Sequence, residues 1–383
     1  MVEIKDIVDR ESLEAWLKDK PQKASQIIVH RSAMRVLLEY WHFTITSQWA
    51  EEGGISILPV LRANLTSEIV AYRASGEIPR KLKSAASESG NNAQSVGKFA
   101  DSLMEKFSHP DNAFSYSNFL FSSEHGASSA EFAVNSVLAT RPFMKMYAAN
   151  SDPIYNDIWK QLRSDISNFN PRFSQNKAAL WLPGRNPFSE RWLKIKRLCA
   201  NASIDWSFWI KWYEAALNGE PLDYKMLEQI ALIPSDDWEQ GPAHVNAIIS
   251  KIETEFELKV KISDLEGKLL QISSSGRGIG DNQGPPMADE PVAKELMVIW
   301  EPLQELKDEI EEKHPNRERL LAIARKIGDL SAAIFKWAAG LANFALKTYI
   351  GVAAAKLATV ADPVATILST IYDLIVKLVG YLP

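Results

Sequence analysis

The segment Ser273-Ser-Ser-Gly-Arg-Gly-Ile-Gly-Asp-Asn-Gln-Gly-Pro-Pro286 sets the strongest limit on how this chain can fold. Glycine loses the most backbone freedom on folding and proline lacks the amide donor, so helix and strand are both costly across such a run. A flexible linker over 273–290 is the expectation. The chain then reads as an N-terminal helical region at 1–150, a Trp-rich helical region at 151–272, and a C-terminal helical arm at 291–383. The predicted fold class is mainly α: a multi-helix globular body, a linker, and a helical hairpin or bundle.

Helical spacing supports that reading. Ile27, Met34, Leu38, Trp41 and Ile45 share one face of a helix expected after Lys20-Pro21, and Gly53-Gly54 should end it. Leu58, Leu61, Leu65 and Ile69 are in register in a further helix. Residues 74–97, rich in Ser, Gly, Asn and Lys, read as a loop, and 98–150 as short helices. Seven of the twelve tryptophans lie in 152–257. Trp206, Trp209, Ile210, Tyr213 and Leu217 fall on one helical face, with Asp205 as cap and Gly219 before Pro221 as stop. Trp212 lies off that face. It is therefore expected to be exposed and is a candidate partner surface. Met226, Leu227 and Ile230 face inward in a short helix. Val245, Ile248, Ile249, Ile252 and Phe256 line the next one, which Pro242 opens. The weak alternation over 256–272 fits either a small hairpin or a fraying helix end.

The arm has the sharpest pattern. Val292, Leu296, Ile299, Leu303, Leu306 and Ile310 are spaced four, three, four, three, four, the heptad period that keeps one helix facing a partner. Pro302 within it predicts a kink or a late helix start. His314-Pro315-Asn316 should break the helix and offer a cap. A long helix is expected from Arg317 to about Thr359, carrying Trp337 and Phe344, with a break at Asp362-Pro363. The last helix is amphipathic. Val364, Ile367, Leu368, Ile371, Leu374, Ile375 and Leu378 oppose a polar stripe of Thr366, Thr370, Asp373 and Lys377. Gly328, Gly340 and Gly351 permit close helix contacts.

Charge is uneven along the arm. Residues 287–330 hold eleven acids and seven bases, and 331–383 hold four lysines and two aspartates. That polarity suits intramolecular packing or an anionic surface. The overall charge of -5 carries no nucleic-acid footprint, so no nucleic-acid partner is predicted. The single cysteine, Cys199, excludes an internal disulfide and argues against a cysteine zinc site. The acidic N-terminus is unlike a signal peptide, and no window of eighteen residues is both apolar and uncharged. Cytoplasmic residence is expected, with a peripheral membrane association as its extension.

Trp181-Leu-Pro-Gly-Arg-Asn-Pro187, Trp192, Trp206-Ser-Phe-Trp-Ile-Lys-Trp-Tyr213, Ile230-Ala-Leu-Ile-Pro-Ser-Asp-Asp-Trp-Glu-Gln-Gly241, Leu13-Glu-Ala-Trp-Leu17 and Arg277-Gly-Ile-Gly-Asp-Asn-Gln-Gly-Pro-Pro286 form a distinctive set. They resemble a group of uncharacterised proteins found mainly in alphaproteobacteria, over residues 10–50 and 150–286. A histidine is common in that group where this chain has Asp281, which argues against a metal role for the loop. The resemblance implies a recurring body joined to varying appendages and supplies no activity.

No motif names a reaction. Gly276, Gly278 and Gly280 lack the flanking strand and helix of a phosphate cradle. The Trp-x-x-Trp-x-x-Trp spacing suits core packing better than base stacking. Asp236, Asp237, Glu239 and His244 are close in sequence, but acids at a helix start are expected from the helix dipole alone. No catalytic residue, cofactor or metal ligand is assigned. The expected function is a non-enzymatic interaction or effector protein. Its working residues would be the seam (Leu296, Ile299, Leu303, Leu306, Ile310), Trp337 and Phe344, and the terminal face (Ile367, Leu368, Ile371, Leu374, Ile375, Leu378). These would drive homo-oligomerisation, bind a protein partner, or engage a membrane through 331–383. A soluble enzyme with its site in the Trp-rich body is the alternative.

Overall fold

The computed structural model describes residues 3–8, 10–18, 20–46, 48–52, 56–72, 153–168, 178–274, 298–312, 314–347 and 351–382. They form helices joined by turns, with no strand among the described residues. The loop and short helices expected at 74–150, and most of the linker, lie outside these residues. So does Leu296. The chain divides into two compact units, Met1–Ile249 and Ser250–Pro383.

Unit 1 is organised around α2. Helices α1 (Arg10–Leu17) and α2 (Gln22–Thr46) are separated at Lys20-Pro21, and α3 (Gln48–Glu52) and α4 (Leu58–Tyr72) follow. Then come α5 (Pro153–Ser167), α6 (Ser189–Ala200), α7 (Ser207–Asn218), α8 (Tyr224–Ala231), α9 (Ser235–Glu239) and the start of α10 (Pro242–Ser274). α2 packs against α3, α4, α5 and α6. Ile27, Met34, Leu38 and Trp41 are buried, as are Leu58, Leu61, Leu65 and Ile69 of α4. Gly219 closes α7 in the left-handed conformation, φ 72°, which glycine adopts without a Cβ clash. The Asp205 carboxylate accepts the Ser207 amide at the start of α7.

Unit 2 holds the rest of α10, then α11 (Trp300–Glu311), α12 (Arg317–Lys347) and α13 (Gly351–Val379). Residues 256–272 are helical throughout, so the hairpin considered for them does not form. Leu258, Ile262, Leu265 and Leu269 are spaced four, three, four, and all are buried in the unit 2 core. That period overrides the short alternation around them. The change of unit therefore falls inside α10, upstream of the boundary that composition marks at 273.

Helix α11 begins late, at Trp300. Pro302 thereby sits in its first turn, where amides have no intrahelical acceptor and a missing donor costs little. At the start of α12, Asn316 Oδ1 accepts the Arg319 amide at 3.0 Å. α12 and α13 run antiparallel. Ser331 Oγ donates to the Ala365 carbonyl at 2.9 Å, and the Tyr372 ring lies 3.2 Å from where a Cβ on Gly328 would be. That close approach is the use of glycine at 328.

The helix expected from Arg317 to Thr359 ends instead at Lys347, and α13 runs through Asp362-Pro363 without a break. An interior proline costs about 3 kcal/mol. Val364, Leu368, Ile371, Ile375 and Leu378, all buried beyond it, offset that cost.

Candidate functional site

The residues singled out in the arm are brought together, but as a core. Ile299, Leu303, Leu306 and Ile310 from α11 are buried in one cluster with Leu320, Ile323 and Ile327 from α12. Leu368, Ile371, Leu374, Ile375 and Leu378 join them from α13, and Ile367 is half-buried against the cluster. The heptad seam is thus satisfied within the unit. Two ion pairs tie the surrounding surface: Lys307 to Glu266 at 2.9 Å, joining α11 to α10, and Lys326 to Glu305 at 2.8 Å, joining α12 to α11. Buried Glu309 accepts the Asn316 amide and lies 3.0 Å from Arg319, clasping the α11–α12 turn. The stripe of Thr366, Asp373 and Lys377 is exposed and Thr370 half-exposed.

Trp337 and Phe344 lie on α12, but their side chains are outside the described residues. Of the last described positions before them, Ala332, Ala333, Phe335 (43% exposed) and Lys336 are exposed, while Ile334 is half-buried against the core. From 337 to 361 the sequence carries only Lys347 and Lys356 as charges. No helix among the described residues is long and apolar enough to cross a membrane.

Trp212 corrects its sequence reading. It is 1% exposed and its indole Nε1 donates to Glu68 of α4, so it is no partner surface. Helix α7 buries Phe208, Trp209, Trp212, Tyr213 and Ala215. These five share one arc of the helix with Trp212 near its middle. The arc is turned from the face expected from the sequence, since Ile210 and Leu217 are only half-buried. Trp192, Trp209 and Trp238 are buried as well and pack edge-on or tilted. Trp209 lies 5.6 Å from Trp212 and 6.3 Å from Trp238, and Trp192 lies 4.8 Å from Tyr213. Trp209 Nε1 donates to Asn246, which in turn donates to the Asp205 carbonyl.

Sequence reasoning missed a buried polar cluster on α2, α4 and α5. Arg31 Nε sits 3.0 Å from Asp165 and Arg35 Nη2 2.6 Å from the same carboxylate. Arg31 also donates to the carbonyls of Ala178 and Ala179, and Arg35 to that of Leu180. Gln161 accepts the Leu182 amide. Helices α2 and α5 thereby hold the backbone that leads into α6. Arg35 Nη1 finds no acceptor among the described residues. The signal in the sequence was the i,i+4 pair of arginines between apolar positions of α2, with an aspartate near the end of α5.

Burial sets the electrostatics of this cluster. It pushes His30 down to about 3, with Arg31 and Arg35 adding to the effect. It pushes Glu68 up to about 7, against the opposing hydrogen bond from Trp212. Arg35 falls to about 10 by burial, which Asp165 partly offsets. For Arg31 burial, the largest influence, is outweighed by Asp165 and Tyr72 together, and its pKa rises. Arg62 is clamped in turn, by Ser235 Oγ, by the Ile233 carbonyl and by the Trp238 ring 5.0 Å away. These contacts position backbone and rings.

Asp237 and His244, near the starts of α9 and α10, pair at 2.8 Å. No cluster of His, Cys, Asp and Glu able to hold a metal occurs among the described residues. Compared with known protein families, curated proteins and solved structures, the chain matches none.

Proposed function

We propose that this is a non-enzymatic effector protein whose α12–α13 hairpin engages a membrane surface. The observation that carries the proposal is the division of labour along the hairpin. Its α11-proximal part spends the seam and the terminal face on an internal core. The sequence from 337 to 361 is rich in alanine and nearly uncharged, and exposed Phe335 and Lys336 lead into it. An apolar sequence with lysines spaced along it suits the bilayer interface. Self-association through the seam or the terminal face would first require uncovering residues that already have partners.

The test is dye release from vesicles, alongside light scattering, on full-length protein and on Phe344→Asp. Release by the wild type and its loss in the variant is the expected result. A wild type that is monomeric and leaves vesicles intact sinks the reading. Truncation at 286 is the wrong comparison, because it would strip the cover from Leu258, Ile262, Leu265 and Leu269 on α10.

A further inference from the structure

Helix α6 carries a surface that the hairpin reading does not use. Its inner side is Trp192, Ile195 and Cys199. On the outer side Leu193 is 50% exposed and Leu198 37% exposed. Lys194 and Arg197 are exposed between them. The spacing explains the grouping: 193 with 197, and 194 with 198, are i,i+4 pairs that lie one turn apart on the same side of a helix. Two leucines therefore bracket two cations.

The charge of this face is not consumed internally. Lys194 and Arg197 make no ion pair among the described residues, whereas Lys196 at the flank is held by Glu214 at 2.8 Å. Glu190 is exposed on the same face, one turn before Lys194 in the first turn where the helix dipole favours it, so the face keeps one cation in excess. Residues 182–211 hold six bases and two acids, a net of +4 in a chain whose net charge is -5.

One exposed leucine is ordinary on a protein surface. Two of them bracketing unpaired cations form the pattern of an interfacial helix, in which apolar side chains enter the acyl boundary and cations stay at the phosphates. A nucleic-acid backbone would use the cations and leave the leucines in water. We propose that the face formed by Leu193, Lys194, Arg197 and Leu198 docks unit 1 onto an anionic phospholipid surface. This contact stands independently of the hairpin.

The test is co-sedimentation of the full-length protein with vesicles of phosphatidylcholine alone or mixed with phosphatidylglycerol. Binding is expected to the mixed vesicles only, and to weaken with added salt. Lys194→Glu with Arg197→Glu should lower partitioning by at least about thirtyfold, the effect of losing two cations near the surface, with repulsion of the new carboxylates adding to it. Leu193→Ser with Leu198→Ser should lower it as well. Both pairs lie on the exposed side, so circular dichroism should be unchanged. Binding by the charge-reversed protein equal to wild type overturns the proposal. So does equal binding of the wild type to neutral vesicles, or binding to an acidic peptide or RNA but to neither vesicle. Phe344→Asp separates the two readings. If that variant loses vesicle binding while the charge-reversed protein keeps it, the lipid contact belongs to the hairpin alone.

Discussion

Unit 1 places His30, Arg31, Arg35, Arg62, Glu68 and Asp165 in its interior, together with tryptophans packed edge to face. Unit 2 buries leucine, isoleucine, valine and alanine, and its buried polar side chains among the described residues are Thr254, Glu309 and Ser331. An aliphatic core tolerates many packings of similar volume, whereas a buried charge is tolerated only in the geometry that pairs it. Unit 1 should therefore fail sharply when one partner is removed, and unit 2 in proportion to the volume removed.

The largest expected effect is at Asp165. Asp165→Ala leaves Arg31 and Arg35 buried without their shared carboxylate. Breaking a buried pair from one side costs about 3–5 kcal/mol. Urea unfolding followed by tryptophan emission would read it, because ten of the twelve tryptophans belong to unit 1. A loss under about 1 kcal/mol would mean the arginines find other acceptors, and the contrast between the cores would fade.

Ile371→Ala is the matching cut in unit 2. Ile371 is fully buried in the aliphatic cluster, and truncation there should cost about 2–4 kcal/mol through lost transfer energy and a residual cavity. Hydrogen exchange on α11–α13 is the suitable measurement. An effect confined to α13 would show that the cluster is less continuous than its packing implies.

The same contrast decides what the sequence made legible. The seam and the terminal face repeat with the period of a helix, so their burial follows from spacing alone. Arg31, Arg35 and Asp165 repeat nothing. Their pairing spans at least 130 positions, and no local rule joins an arginine on α2 to an aspartate on α5. Trp212 was misplaced for a related reason. The buried arc of α7 is turned from the face that apolar spacing suggests: Phe208 and Trp212 are buried, whereas Ile210 and Leu217 are half-buried. Pro363 failed as a stop signal because burial beyond it outweighs one missing hydrogen bond.

Two buried groups of unit 1 should tilt stability with pH in opposite directions. The His30 pKa is lowered on folding, to about 3, so its contribution is intact above about pH 6.5 and is lost as pH falls toward 3. The Glu68 pKa is raised, to about 7, so stability is lost as pH rises from about 4.5 through 7. Each can contribute up to about 1.4 kcal/mol per pH unit in its window, and the two partly cancel where the windows overlap. Glu68→Gln keeps an acceptor for the Trp212 indole and removes the titration. Denaturation midpoints of that variant should rise with pH from 4.5 to 6.5 more steeply than those of the wild type. Identical profiles would show that Glu68 does not change its protonation on folding.

The smallest effect tests whether the second half of α10 belongs with the aliphatic core. Gly267 reads as a turn in the sequence, yet it lies exposed within α10 with open space where a Cβ would go. Alanine at that position meets no neighbour and restricts the unfolded chain, so Gly267→Ala should stabilise by about 1 kcal/mol. The gain should appear as slower hydrogen exchange around Leu265 and Leu269, which pack with the α11–α13 core. A loss of stability would indicate that the backbone at 267 departs from helix in solution. The segment 256–272 would then return to the turn that its local sequence suggests, and unit 2 would lose one wall of its core.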